Sequence, residues 1–370
     1  MNMPNSSISQ EEGLQVLVRD VNKLVESIEK LRRIGLKSVD AALPELVLVG
    51  DQSAGKSSLM GAIAEINLPK GQSMCTRCPT NIRTAPADRW SCTVSLQQEY
   101  AYAKKKGPGQ SFPNWVARDG MVTLPFKTID DKTELEEVLK WAQLALLNPS
   151  QDPQSFVPGT AGHAQRLGDD RSIEAKFSPN VIAVEISGPG LPPLSFYDLP
   201  GLFQNAEDHE SHFLIKVFED LTIKYIKHQN ALIICTIAMQ NDSGLSRTKA
   251  IISKCHAEER CIGVLTMPDR LQASDAAHQD YTNILRGTTY KLPRGYYVTK
   301  QPGANSQLKG PEYHRLARQQ EEEFFDSSEL WGPGGVWWEF RARCGTATIQ
   351  KYLSKEFAKQ ILKRLVSVCF

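Results

Sequence analysis

Leu46-Val47-Leu48-Val49-Gly50-Asp51-Gln52-Ser53-Ala54-Gly55-Lys56-Ser57 is the stretch on which the reading of the fold turns. Its four apolar residues end in a glycine, as a short parallel strand covered on both faces does before a turn. From Gly50 to Ser57 the residues satisfy G-x-x-x-x-G-K-[ST], and a helical pattern resumes at Ser57, which is the context the motif requires. Glycines there let the backbone wrap a phosphate, so that successive N–H groups and the positive helix end point at it. Lys56 would place a full charge on the outer phosphates and Ser57 a hydroxyl on magnesium. A glycine turn beside a surface lysine is the ordinary alternative, and the strand-loop-helix context disfavours it.

Further along, apolar runs at 181–186, 194–197, 232–237, 262–266 and 296–298 alternate with helical or loop segments. That alternation predicts a three-layer α/β domain, a mostly parallel sheet with helices on both faces. Between Asn148 and Asp170 the chain turns rich in Pro, Gly, Gln and Asp, and a mobile surface insertion is expected. Two amphipathic stripes flank the domain. Leu14, Leu17, Val18, Val21, Leu24, Val25, Ile28 and Leu31 mark one helix, and Ile349, Leu353, Phe357, Ile361 and Leu365 mark another. Each stripe needs cover, so the two helices are expected to pack together beside the domain.

In 370 residues, 43 Lys and Arg against 42 Asp and Glu leave a net charge of +1, so no global field favours nucleic acid or an anionic membrane. Eight irregularly spaced cysteines and no signal-peptide pattern point to free thiols and a cytoplasmic location. The apolar runs are too short to span a bilayer. Cys75 and Cys78 form a C-x-x-C without a second pair at zinc spacing, so metal binding there is not expected. Trp331, Trp337 and Trp338 are expected to pack a domain edge.

Asp198-Leu199-Pro200-Gly201 follows the run 194–197, placing Asp198 at a strand end in reach of magnesium and Gly201 where its N–H approaches a γ-phosphate. This is a switch II pattern, and its order after the phosphate loop gives it weight. Thr266-Met267-Pro268-Asp269 stands where a guanine-reading [TN]-K-x-D motif belongs. The Asp269 carboxylate would accept from guanine donors that adenine lacks, the kind of contact that discriminates strongly. Met267 replaces the usual lysine, keeping an apolar stem for the purine face and losing the ammonium.

These residues resemble the dynamin superfamily, with Leu48 to Ser58 matching its phosphate loop almost letter for letter and Thr76-Arg77-Cys78-Pro79 similar to switch I of the Mx branch and of fungal relatives. The resemblance implies a GTPase that converts GTP to GDP and phosphate with Mg2+, stimulated by a homodimer formed face to face across the nucleotide. It implies a link to membrane remodelling or organelle division, with membrane or microtubule association in full-length relatives. A small-GTPase glutamine after D-x-x-G is absent, since Leu202 stands there. The resemblance assigns the attacking water to Gln52 instead, and a monovalent cation (Na+ or K+) to Ser53 and the Gly71 carbonyl. Thr76 would ligate magnesium through its hydroxyl and hold the water through its backbone. Lys300 and Gln301 are placed near the base by analogy alone.

The expected nucleotide set is therefore Asp51, Gln52, Ser53, Ala54, Gly55, Lys56, Ser57, Ser58, Gly71, Asp198, Gly201, Thr266, Met267, Asp269, Lys300 and Gln301. Ser57, Thr76 and Asp198 would hold magnesium, and Gln52, Ser53, Lys56 and Thr76 would act in catalysis. The resemblance divides the chain into a disordered start over 1–12, a first bundle-signalling helix over 13–35 and a GTPase domain over 36–345. A second such helix, truncated, follows over 346–370, and no stalk is expected. A truncated GTP-binding module with little turnover is the competing reading.

Overall fold

The computed structural model describes residues 45–66, 68, 76–103, 112–162, 173–189, 191, 194–202, 212–240, 247–271, 275–303 and 312–369. Strands β1 (Glu45–Gly50), β2 (Thr80–Pro86), β3 (Ser91–Tyr102), β4 (Trp115–Ile129), β5 (Val181–Gly188), β6 (Leu194–Asp198), β7 (Ala231–Ala238), β8 (Cys261–Thr266) and β9 (Tyr296–Thr299) form one sheet. Their spatial order is β4-β3-β5-β2-β6-β1-β7-β8-β9. The helices are α1 (Lys56–Ala64), α2 (Leu135–Leu147), α3 (His212–Ile226), α4 (Arg247–Lys254), α5 (Asp275–Arg286), α6 (Tyr313–Ser327) and α7 (Thr346–Cys369).

Two cores sandwich the sheet, and β1 shows why its sequence is apolar throughout. Leu46 and Leu48 point into the core shared with α1, α2 and α7, whereas Val47 and Val49 point into the one shared with α3, α4 and α5. Strands β7 and β8 divide in the same way, with Ile234 and Val264 on one face and Cys235 and Leu265 on the other. Burying a side chain of this size is worth about 1.5 to 3 kcal/mol, so a strand covered on both sides has no polar face to spare. The expected three-layer fold is present, and each of the five apolar runs lies within a strand.

Strands β2, β3 and β4 have no counterpart in those runs. β3 and β4 form a long hairpin, and β2 runs parallel to β5 but antiparallel to β6. In β3 the buried Cys92, Val94 and Leu96 alternate with more polar neighbours, a period of two that carries the strand signal without a continuous apolar run. Within the segment expected to be a mobile insertion, Pro153–Phe156 form a one-turn helix and Phe156 is buried in the core. Residues 163–170 lie outside the described residues.

The C-terminal stripe finds cover on the domain itself. Ile349, Leu353 and Phe357 are buried in the core that holds Leu59 and Ile63 of α1. Tyr352 packs on Tyr297 at 5.0 Å between ring centres, Gln350 donates to the Ile63 carbonyl at 3.0 Å, and Arg294 pairs with Glu356 at 2.6 Å. An apolar stripe states that some surface covers it and does not say which one. The expected first helix lies outside the described residues, as do the side chains of Ile361 and Leu365. Trp331 and Trp337 are core residues with ring centres 4.7 Å apart, but Trp338 is 46% exposed. Among the described residues no helix is long and apolar enough to cross a membrane.

Candidate nucleotide site

The loop between β1 and α1 sits at the C-terminal edge of the parallel strands, where open α/β sheets bind ligands. At Gly50 an added Cβ would stand 2.1 Å from Thr236 Oγ1, so only glycine lets β1 turn against β7 here. Gly55 then takes φ +79, a left-handed value that glycine adopts without strain and that swings the chain into α1. Lys56 is buried, with Nζ donating to the carbonyls of Gly50 and Asp51, both at 3.0 Å. Gln52 and Ser53 are exposed on the loop, and Ala54 is buried beneath it.

Ser57, in the first turn of α1, donates its hydroxyl to Asp198 Oδ2 at 2.8 Å. Asp198 closes β6, the parallel neighbour of β1, and is 3% exposed. Burial raises its pKa above the usual carboxylate value, opposed by the Lys56 ammonium and then by the Ser57 hydroxyl. Its other oxygen, Oδ1, is buried with no hydrogen-bond partner among the described residues. Because β2 runs antiparallel to β6 with Thr80 opposite Asp198, the segment leading into β2 arrives beside this carboxylate. Thr76 accordingly lines a small cavity with Ser57, Thr80 and Asp198.

Switch II is tied back to the phosphate loop through its backbone. Gln52 N donates to Leu202 O at 2.9 Å and Leu202 N to Gly50 O at 3.2 Å, while the Leu202 side chain is buried. A Cβ on Gly201 would lie 2.8 Å from Gln52 Cα and 3.0 Å from Lys56 Nζ, so the glycine permits this approach.

On the other side of the loop, Thr266 Oγ1 donates to Ala54 O at 2.9 Å. Met267 adopts φ 55, and its Cε would be 3.6 Å from a Cβ on Gly55, which sets the thioether alongside the loop. Asp269 is exposed in the one-turn helix Pro268–Arg270. Lys300 and Gln301 follow β9, the parallel neighbour of β8, but their side chains engage the C-terminal helices. Lys300 Nζ lies 5.5 Å from the Phe324 ring centre and Gln301 Nε2 donates to Thr346 Oγ1 at 2.6 Å. Ser58 lies in the first turn of α1, and Gly71 is outside the described residues.

Three supports carry no motif and were missed in the sequence. Thr248, fully buried at the start of α4, donates its N–H and its hydroxyl to Asp51 Oδ1, so the Asp51 carboxylate holds the protein rather than facing a ligand. Gln143 on α2 accepts from Arg77 N at 3.1 Å and so holds the segment after Thr76. Glu321, 2% exposed, accepts from Lys300 N and from both the N–H and hydroxyl of Thr346. Only spatial proximity reveals such partners. Cys78 is buried, and desolvation together with nearby Asp198 pushes its thiol pKa well up, so it stays protonated. Among the described residues no cluster of three or more His, Cys, Asp or Glu could hold a metal.

Fold and loop together define an α/β phosphate-loop domain. The chain belongs to the Dynamin family, whose profile matches residues 46–268. It is 27% identical to the interferon-induced GTP-binding protein Mx2 of Homo sapiens over 285 residues, 76% of this chain and 32% of that protein. Against Mx1 of Mus musculus the identity is 26% over 281 residues, 76% of this chain and 37% of the other. Against Mx of Ctenopharyngodon idella it is 25% over 377 aligned positions, 99% of this chain and 50% of the other. The chain thus spans about a third to a half of the length of these curated relatives.

Proposed function

We propose that this chain binds GTP and Mg2+ and hydrolyses GTP to GDP and phosphate. One observation carries the reading: Ser57 and Asp198, brought together at 2.8 Å from α1 and β6, leave the buried Oδ1 of Asp198 without a partner beside the phosphate loop. A small hard cation held by few protein oxygens, and otherwise by phosphates and water, fits that donor set. Ser57, Asp198 and Thr76 would hold it, and when bound it would neutralise charge on the β- and γ-phosphate oxygens.

The loop N–H groups from Gln52 to Ser58 cradle the phosphates. Lys56 exchanges its two carbonyl partners for phosphate oxygens, a charge-assisted contact stronger than those it gives up. Gln52, exposed next to Gly201, orients the attacking water. Ser53 and the Gly71 carbonyl hold a monovalent cation, and the Thr76 backbone holds the water. Asp269 accepts from guanine, with Met267 against the purine face and Thr266 fixing the turn to the loop. Lys300 and Gln301 approach the base only if they leave Phe324 and Thr346.

The relatives are named as GTP-binding proteins, which agrees with this assignment of the base. Dimerisation across the nucleotide, a cytoplasmic location and a role at membranes extend the proposal by family likeness. Steady-state phosphate release from GTP and from ATP, with protein concentration varied, tests it. GTP-selective turnover that rises per molecule with concentration is expected, and its loss in Lys56→Ala. Equal rates with ATP, or unchanged turnover in that variant, overturn the assignment.

A further inference from the structure

The chain from Thr76 into β2 is held by its backbone at every step. Arg77 N donates to Gln143 Oε1 at 3.1 Å, Arg77 O accepts from Ser178 N at 3.0 Å, and Pro79 O accepts from Ile182 N at 3.0 Å. The Cys78 thiol also turns toward Gln143 Oε1, at 3.9 Å. Both peptide groups that flank Arg77 are therefore fixed, one by a side chain of α2 and one by the backbone ahead of β5.

Gln143 stands on a rigid support. Its helix buries Leu139, Ala142 and Leu146 in the core shared with α1, so the amide oxygen is offered from a fixed place. The same side chain lines the small cavity with Ser57, Thr76, Thr80 and Asp198, whose Oδ1 is the unpartnered buried oxygen of the site. A trans peptide holds its C=O and N–H in one plane, pointing in opposite directions, and no cis bond occurs among the described residues. The bond from Arg77 N to Gln143 thus turns the Thr76 carbonyl away from the Gln143 amide.

We propose, on the GTPase reading above, that Gln143 is a positioning residue for hydrolysis: through the Arg77 N–H it sets the direction of the Thr76 carbonyl, which accepts from the attacking water. In that reaction the water oxygen bonds to the γ-phosphorus as the bond from phosphorus to the β,γ-bridging oxygen breaks, giving GDP, phosphate and one proton. A water lined up for attack turns an oxygen lone pair to phosphorus and its hydrogens to acceptors. Of the two backbone groups of Thr76 only the carbonyl accepts. Its aim is read in rate, because a misplacement of about 1 Å from a substitution away from the chemistry can cost about a hundredfold.

Steady-state GTP turnover, GDP calorimetry and melting curves test this on the full chain as wild type, Gln143→Leu and Gln143→Glu. Gln143→Leu removes the acceptor at similar size and should lower kcat about tenfold or more, with KM for GTP and GDP affinity unchanged, as loss of a contact felt only in the transition state does. Gln143→Glu keeps an oxygen acceptor at the same reach and should recover most of the lost rate. If Gln143→Leu fails to fold, Gln143→Met decides by the same comparison. Unchanged kcat in the apolar variant, a fall in kcat matched by a fall in GDP affinity, or Gln143→Glu no faster than the apolar variant would each overturn the role of Gln143 while leaving the GTPase reading intact. Wild-type protein without GTP turnover would overturn that reading, and the role of Gln143 with it.

Discussion

Asp51, the second residue of the phosphate loop, accepts at one carboxylate oxygen from both the N–H and the hydroxyl of Thr248, at 3.2 and 2.7 Å. The loop is thereby fastened to the first turn of α4, an element 197 residues away in sequence. Thr248→Val keeps the shape and removes the hydroxyl. Because a hydrogen bond to a charged group is worth about 1.5 to 3 kcal/mol, a loosened loop should weaken GDP binding about tenfold. Calorimetry beside a melting curve checks this; unchanged affinity with a lowered melting temperature would confine Thr248 to stability.

Asp198→Asn should separate stability from activity. Burial raises the folded-state pKa of Asp198 above 3.8, so between that value and its folded pKa the folded protein binds more protons than the unfolded chain. Its charge therefore costs stability progressively as pH rises through this window, and the cost persists above it. In metal-free protein at pH 7 the asparagine variant should melt higher than wild type, with the difference vanishing below about pH 4. Mg2+-dependent GTP turnover should be lost in the same variant. Melting curves across pH and a phosphate-release assay test both halves.

For Asp269→Asn the expectation concerns the base. Asparagine presents an amide donor where guanine needs an acceptor, so the preference for GDP over ADP should fall by about a hundredfold or more while phosphate contacts persist. Competition between the two diphosphates for a fluorescent nucleotide measures the ratio, and an unaltered ratio would remove Asp269 from the base site.

Leu353→Ala tests where α7 belongs. Leu353 is fully buried among residues of the domain core, and a Leu→Ala truncation in such a place costs about 2 to 5 kcal/mol. Chemical denaturation should record that loss in one cooperative transition. A change below about 0.5 kcal/mol, the range of ordinary surface substitutions, would mean that the helix does not pack there in solution.

Read alone, the sequence was sufficient for what local pattern encodes: the strand-loop-helix of the phosphate site, the order of Ser57, Asp198 and Asp269, and the five doubly buried runs. Short-range rules govern these features, because a phosphate loop needs glycine at fixed offsets and a strand covered on both faces needs unbroken apolar residues. Strands β3 and β4 were less legible, since β3 is buried on one face only and the edge strand β4 is largely exposed, so polar residues dilute the signal in both. Only the tertiary structure could decide that Asp51 turns its carboxylate to Thr248, that Gln143 holds the segment beyond Thr76, and that Glu321 ties Lys300 to Thr346. It decided as well that the stripe of α7 lies on α1. Each of these joins residues far apart in the chain, and hydrogen-bonding capacity or an apolar stripe carries no address; the partner is whatever the folded backbone brings within reach.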